Sequence, residues 1–271
     1  MTLGTVGVDA RWWLDAARQL DEAGYAAIWA WDHFVGKGDR RVPVLEAMTI
    51  LTAAAAVTRE ARIGSFVLNV MNRHPAVVAR MASTLQAISG GRFVLGMGIG
   101  GHPREHEAYG IDFPPAPERA ARLEEAIAVI RALWTSGPVD LPGTFYRLTD
   151  AIAEPRPDPP PPILVGAQTP TGVRLAARAA DGWAAEMPFF DQLVPLYLEA
   201  LAEQGRDRAA QLVILGFNAG RSGEEALRDS PWIDAPRETW EEWRKRGVDE
   251  VTVTARTTTD VDALVRAAAR W

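Results

Sequence analysis

Four stretches of this chain carry side chains that could do chemistry. In Ile28-Trp29-Ala30-Trp31-Asp32-His33-Phe34 an Asp-His pair directly follows an apolar, strand-forming run. An imidazole placed there can donate a hydrogen bond or move a proton near neutral pH, and its neighbouring carboxylate can orient it or bind backbone amides. The alternative is a structural His capping the rim of the fold. The chain has only four histidines, which favours a chemical role for His33.

Gly96-Met97-Gly98-Ile99-Gly100-Gly101 matches the G-x-G-x-x-G spacing of dinucleotide-binding loops. Such a loop must open straight into an amphipathic helix, with an acid at a strand end about 20 residues later. Here His102-Pro103-Arg104-Glu105-His106 follows, so the glycines read as bare backbone against which a flat ring can lie. His102-x-x-Glu105-His106 also matches H-x-x-E-H, in which two imidazoles bind zinc and the carboxylate is a base. With no third ligand in evidence, the alternative is three solvent-side residues of a rim loop, and no metal is assigned. In Gly166-Ala167-Gln168-Thr169-Pro170-Thr171-Gly172, Thr169 reads as an N-cap and Pro170 as the first helical residue. The same free amides could seat a phosphate.

These groups need elements to hold them. Apolar runs at residues 3–8, 25–31, 62–68, 92–98, 162–166, 182–186, 212–217 and 250–254 predict eight strands. Helical spacing predicts a helix after each, at 12–20, 43–57, 75–88, 117–134, 171–180, 191–204, 236–246 and 261–269. Alternating β and α elements require parallel strands joined by right-handed crossovers. Eight such units in 271 residues suit an α/β fold of the closed (β/α)8 TIM barrel type, a single domain over residues 1–271. A doubly wound open sheet is the competitor. Asp32-His33, Asn69, Gln168 and Glu186 fall at the C-terminal ends of strands and would ring one mouth, which favours the barrel.

A proline-rich excursion at residues 137–162 interrupts the alternation between the fourth and fifth strands, with a hairpin element at 143–148. At least one of Trp29 and Trp31 is expected inside the barrel, and Trp183 in the core. The 29 basic and 35 acidic residues leave a net charge of −6, which argues against nucleic acid or an anionic membrane as partner. The longest apolar run, residues 48–57, is far short of the roughly 18 residues of a membrane-spanning helix. The first nine residues lack a basic segment leading into an apolar one, so the expected location is cytoplasmic. The absence of cysteine excludes disulfides and thiolate chemistry.

Several motifs in order point further. Trp31-Asp32-His33-Phe34, Arg73-His74-Pro75-Ala76-Val77, Ser89-Gly90-Gly91-Arg92-Phe93 and Gly96-x-Gly98-x-Gly100 resemble the bacterial-luciferase-like family of flavin- and deazaflavin-dependent oxidoreductases. So do Arg119-x-x-Arg122-Leu123-Glu124-Glu125-Ala126, Ala132-Leu133-Trp134 and Ala180-Asp181-Gly182-Trp183. The resemblance implies a (β/α)8 barrel with the cofactor ring at its C-terminal mouth. It implies a non-proline cis peptide at Phe66-Val67 backing the ring, with ring contacts from Gly98, Ile99 and Gly100. It places the phosphate near Gly166, Ala167, Gln168 and Thr169, and His33 and Asp32 beside the reactive face as the catalytic pair.

The implied function is an F420-dependent oxidoreductase moving a hydride between the deazaflavin and a small organic substrate. The alternatives are a two-component FMN monooxygenase and a cofactor-binding barrel without catalysis. A separate cofactor reductase is the implied partner, and a homodimer packing the helix at 48–57 is a further expectation. The sugar-phosphate dehydrogenase branch carries Trp four positions after the His and a Glu after the glycine run. This chain has Lys37 and Gly101 there, which speaks against that substrate. The segment after the seventh strand also reads as too short for a lid.

Overall fold

The computed structural model describes residues 1–36, 39–135, 137–217 and 227–271. The chain starts with β1 (Thr2–Leu3), α1 (Ala10–Glu22), β2 (Ala27–Ala30), α2 (Ala47–Val57) and β3 (Arg62–Ser65). A short continuation of the third strand, β4 (Leu68–Asn69), follows a break, then α3 (Pro75–Ile88), β5 (Phe93–Gly98), α4 (Pro103–Tyr109) and α5 (Ala116–Leu133). An antiparallel pair, β6 (Val139–Pro142) and β7 (Arg147–Ala151), stands apart from the main sheet. The alternation resumes with β8 (Ile163–Gly166), α6 (Pro170–Ala179), β9 (Gly182–Glu186), α7 (Phe190–Glu203) and β10 (Leu212–Phe217). It ends with α8 (Pro231–Asp234), α9 (Pro236–Lys245), β11 (Glu250–Ala255) and α10 (Thr258–Ala268).

The main sheet runs β3-β2-β1-β11-β10-β9-β8-β5, all parallel, and β3 pairs with β5 to close it. With β4 counted as the continuation of β3, this is the eight-stranded barrel the alternation predicts. Four local expectations change. The first strand is shorter, because Gly7 takes a left-handed φ of +74° and turns the chain away. The third strand breaks at Phe66-Val67, whose peptide bond is cis. The excursion's hairpin has its turn at residues 143–146, where Glu125 of α5 accepts the backbone N–H groups of Thr144, Phe145 and Tyr146. Helix α4 was not foreseen, since glycines and a proline precede it. The short segment after the seventh strand falls at 218–226, outside the described residues.

Side chains alternate across the barrel wall. Ala27, Trp29, Phe66, Val94, Leu164, Ala184 and Ile214 pack together inside it. Ile28, Ile63, Leu95, Val165, Trp183 and Leu215 face out and join the helices in a larger core. Trp29 is therefore the interior tryptophan, and only Gly64 leaves space for it: a Cβ at position 64 would lie 2.1 Å from Trp29 Cζ3. Trp31 is half-buried beneath the Arg256 guanidinium, 5.3 Å from ring to Cζ. The apolar face of α2, with Met48, Ile50, Leu51, Ala54 and Ala55 buried, is used up within the fold. No helix among the described residues is long and apolar enough to cross a membrane.

The end of the barrel opposite the mouth is tied by backbone-directed side chains. Asp21 accepts the N–H groups of Arg59, Glu60 and Ala61 as the chain enters β3. Burial alone would raise its pKa, but those bonds, led by Ala61, and the nearby Arg92 guanidinium hold it below the usual carboxylate range. A depressed folded-state pKa adds stability above the unfolded value of about 3.9 and loses it as pH falls through the folded value. The stability of the wild type is thus expected to fall below about pH 4 more steeply than that of Asp21→Asn, read from urea unfolding across a pH series. Gly64→Ala is expected to cost about 1–3 kcal/mol in the same assay, because the Trp29 ring must shift within a packed interior.

Candidate active site

The mouth is built around a buried carboxylate. Asp32, directly after β2, has a side chain only 2% exposed. Arg73 grips it with Nη1 to Oδ2 and Nη2 to Oδ1, both at 2.8 Å. The Asn69 backbone N–H and the Asn72 side-chain amide also donate to Oδ2, at 2.9 and 3.0 Å. Arg73 reaches on to Glu46, the N-cap of α2. Burial disfavours the Arg73 charge, but Asp32 and Glu46 outweigh it and raise its pKa further above the ordinary arginine value. Asp32 thereby clamps the chain that follows the cis bond. It has no hydrogen bond to His33, so it does not orient that ring.

A second buried His joins the clamp. His106 on α4 is fully buried, and its Nδ1 lies 3.0 Å from the His102 carbonyl. A carbonyl only accepts, so Nδ1 carries a proton, while Nε2 faces both the Asn69 side-chain amide nitrogen at 2.8 Å and Asn72 Oδ1 at 3.1 Å. Asn69 can serve in this way because its Oδ1 is already taken by the Met71 N–H. The rim-loop reading of His102-x-x-Glu105-His106 is corrected here: Glu105 and His106 are both buried and held by the protein.

His33 itself is half-buried, with its Nδ1 3.3 Å from Glu105 Oε1 and its ring edge-on to His102, centroids 4.9 Å apart. Glu105 Oε2 also meets the Phe34 backbone N–H at 3.5 Å. A carboxylate therefore does stand at the mouth, supplied from α4 although position 101 is glycine. At Gly101 no atom of the described residues, its chain neighbours aside, lies within 4 Å of where a Cβ would be. Lys37 lies outside the described residues.

The floor of the mouth is the cis-peptide bulge. Phe66 turns inward and packs edge-to-face on Trp29 at 5.9 Å within the barrel interior. Val67 is half-buried and packs against the same interior cluster from its edge. Cβ atoms at Gly98 and Gly166 would lie 2.7 and 2.8 Å from Val67 Cγ2. Those two glycines thus make room for a valine. Gly100 has φ +75°, and a Cβ there would meet the Asn69 amide at 2.5 Å. Ser65 ties β3 to β5 beside the break, its hydroxyl donating to the Gly96 carbonyl and accepting from the Gly96 N–H.

Gly166 to Thr169 form the rim after β8. Ala167 is buried, its N–H on the Ala184 carbonyl and its own carbonyl on Trp183 Nε1. Gln168 and Thr169 are exposed, and Gln168 Nε2 donates to Glu186 Oε2 at 2.6 Å. Thr169 caps α6 by accepting from Gly172 N–H at 3.2 Å, so the cap takes that amide. The first-turn amide of Thr171, which has no intrahelical acceptor, stays available to an anion.

With this geometry the comparisons agree. A family model for luciferase-like monooxygenases matches residues 3–267. The chain belongs to that family. F420-dependent glucose-6-phosphate dehydrogenases are similar to this chain. The Amycolatopsis mediterranei enzyme is 32% identical over 80% of this chain and 68% of its own length. The Kineococcus radiotolerans enzyme is 36% identical over 71% and 58%. Among solved structures, an F420-dependent secondary alcohol dehydrogenase shares the fold with a TM-score of 0.83 at 20% identity, covering 98% of this chain and 97% of that one. A monooxygenase from Streptomyces bottropensis does so at 0.78 and 23%, covering 100% and 98%.

The clamp gives a test. Arg73→Met leaves the Asp32 carboxylate buried without its cation, and the expected loss is about 3–5 kcal/mol in urea unfolding. Arg73→Lys is expected to recover little of it, since an ammonium cannot bond both carboxylate oxygens and Glu46 in this planar arrangement.

Proposed function

We propose that the chain is an F420-dependent oxidoreductase moving a hydride between the deazaflavin and a small organic substrate at the barrel mouth. The observation that carries the choice of cofactor is the 32–36% identity, over 71–80% of the chain, with F420-dependent dehydrogenases. The site's own residues fit such a group. Val67, seated between Gly98 and Gly166, offers an apolar ledge for a flat ring, and no described residue beyond its chain neighbours stands over Gly101. Bound there, the deazaflavin would supply two-electron hydride chemistry.

The chain's part is to orient and to move a proton. Gly98, Ile99 and Gly100 would present backbone to the ring edge. Gly166, Gln168, Thr169 and the Thr171 amide would hold the phosphate, with Ala167 locking the rim from below. His33 would exchange the proton that accompanies hydride transfer, through a ring nitrogen. The sugar-phosphate specificity of the relatives is not carried over, because Gly101 contributes no side chain to a substrate. In this reading the protein works in the cytoplasm beside a separate reductase that renews the cofactor, and a second copy of the chain is the remaining candidate partner. The family model's description favours one other reading, a monooxygenase using reduced FMN on the same ledge.

Titration of the purified protein with F420 and with FMN separates the two: F420 is expected to bind more tightly. Tight FMN binding with none for F420 would overturn the proposal. Against a panel of alcohols, aldehydes and activated alkenes, His33→Ala is expected to keep F420 affinity and to lose about 10²–10⁴-fold in turnover. Wild-type protein that binds F420 but turns over nothing would instead be a carrier.

A further inference from the structure

Glu105 occupies the third position of α4, after Pro103 and Arg104, and the N-cap His102 makes no side-chain cap. A Glu at that position ordinarily turns back to the N-cap amide. Here it reaches to the end of β2, with Oε1 at His33 Nδ1 and Oε2 at the Phe34 N–H. The residue is 7% exposed, and no Arg or Lys among the described residues pairs with it. A buried carboxylate is costly unless a donor faces each side of it. The Phe34 amide is one, and His33 Nδ1 is the side-chain nitrogen that faces it among the described residues. The helix that carries Glu105 is fixed in place by the next residue, His106, through Asn69.

We propose that Glu105 is the positioning residue of His33. It selects the tautomer with the proton on Nδ1, so that Nε2 is the nitrogen that exchanges a proton with substrate. The 3.3 Å separation is an ion-pair contact outside hydrogen-bond geometry, as in acid–base pairs that tighten further when substrate arrives. The catalytic half of this inference rests on the proposed function. The tautomer does not, since it is a property of the protein without cofactor.

The test is long-range ¹H–¹⁵N correlation of the histidine rings in labelled, cofactor-free protein, at a pH where they are neutral. The chain has only four histidines, and His33→Ala assigns the signal. Wild-type His33 is expected to show a protonated Nδ1 and a bare Nε2. Glu105→Leu is expected to shift it toward the Nε2–H form, while Glu105→Gln, which keeps an acceptor oxygen, retains the wild-type pattern. His106, whose Nδ1 faces a carbonyl, is the internal control and should not change. A wild-type His33 with its proton on Nε2 overturns the proposal even if the variants fail to fold, as does a Glu105→Leu spectrum unchanged at His33.

With F420 and a substrate in hand, Glu105→Leu should lower kcat about 10²-fold with KM little altered. It should add no further loss on top of His33→Ala, as expected for groups acting as one unit. If F420 fails to bind while the His33 tautomer is as stated, the proposed function falls and the Glu105–His33 pairing stands.

Discussion

One ion pair organises the mouth. Asp32 ends β2, Arg73 lies between β4 and α3, and Glu46 opens α2, so a single guanidinium ties together three segments far apart in sequence. The remaining acceptor capacity of Asp32 is taken by Asn69 and Asn72, the residues that carry the chain out of the cis bulge. Val67 is therefore held on one side by the strand it interrupts and on the other by a carboxylate that takes four donors. A charge buried this deeply is tolerable only because both carboxylate oxygens face donors, three at Oδ2 and one at Oδ1. That requirement makes the arrangement all-or-none.

The barrel was readable because its signal is periodic. Eight apolar runs separated by amphipathic stretches admit few alternatives once crossover handedness is imposed. The break in the third strand came from resemblance to a family and not from periodicity, since residues 62–68 read as an unbroken apolar run. The chemistry-bearing motifs were visible as residue types, but their roles were not. Asp32 looked like a partner for its neighbour His33, yet adjacent residues of an extended chain point to opposite sides, and its real partner is 41 residues away. Glu105 and His106 looked like solvent-side residues because glycines and a proline precede them, and only the packing of α4 against the mouth buries them. The signal that could have exposed Glu105 was local: an acid at the third position of a helix whose N-cap offers it nothing.

The glycines show how a motif can answer to a residue outside it. Gly98 and Gly166 are needed for Val67, and the bare surface they create is the valine's flank. Gly64 answers in the same way to Trp29. In each case the small residue is dictated by a large one elsewhere in the chain, a relation no single-sequence pattern displays. Membership of the luciferase-like family is consistent with all of this and leaves the substrate open, since the position where one branch carries a carboxylate is a glycine here.

Trp29 and Phe66, with the aliphatic side chains around them, stopper the barrel from within. A vessel stoppered in this way has one doorway. A flat ring resting on Val67, as proposed, would come in before, and go out after, anything that settles above it. The order of arrival and departure would then follow from the shape of the container, without any change in conformation to enforce it.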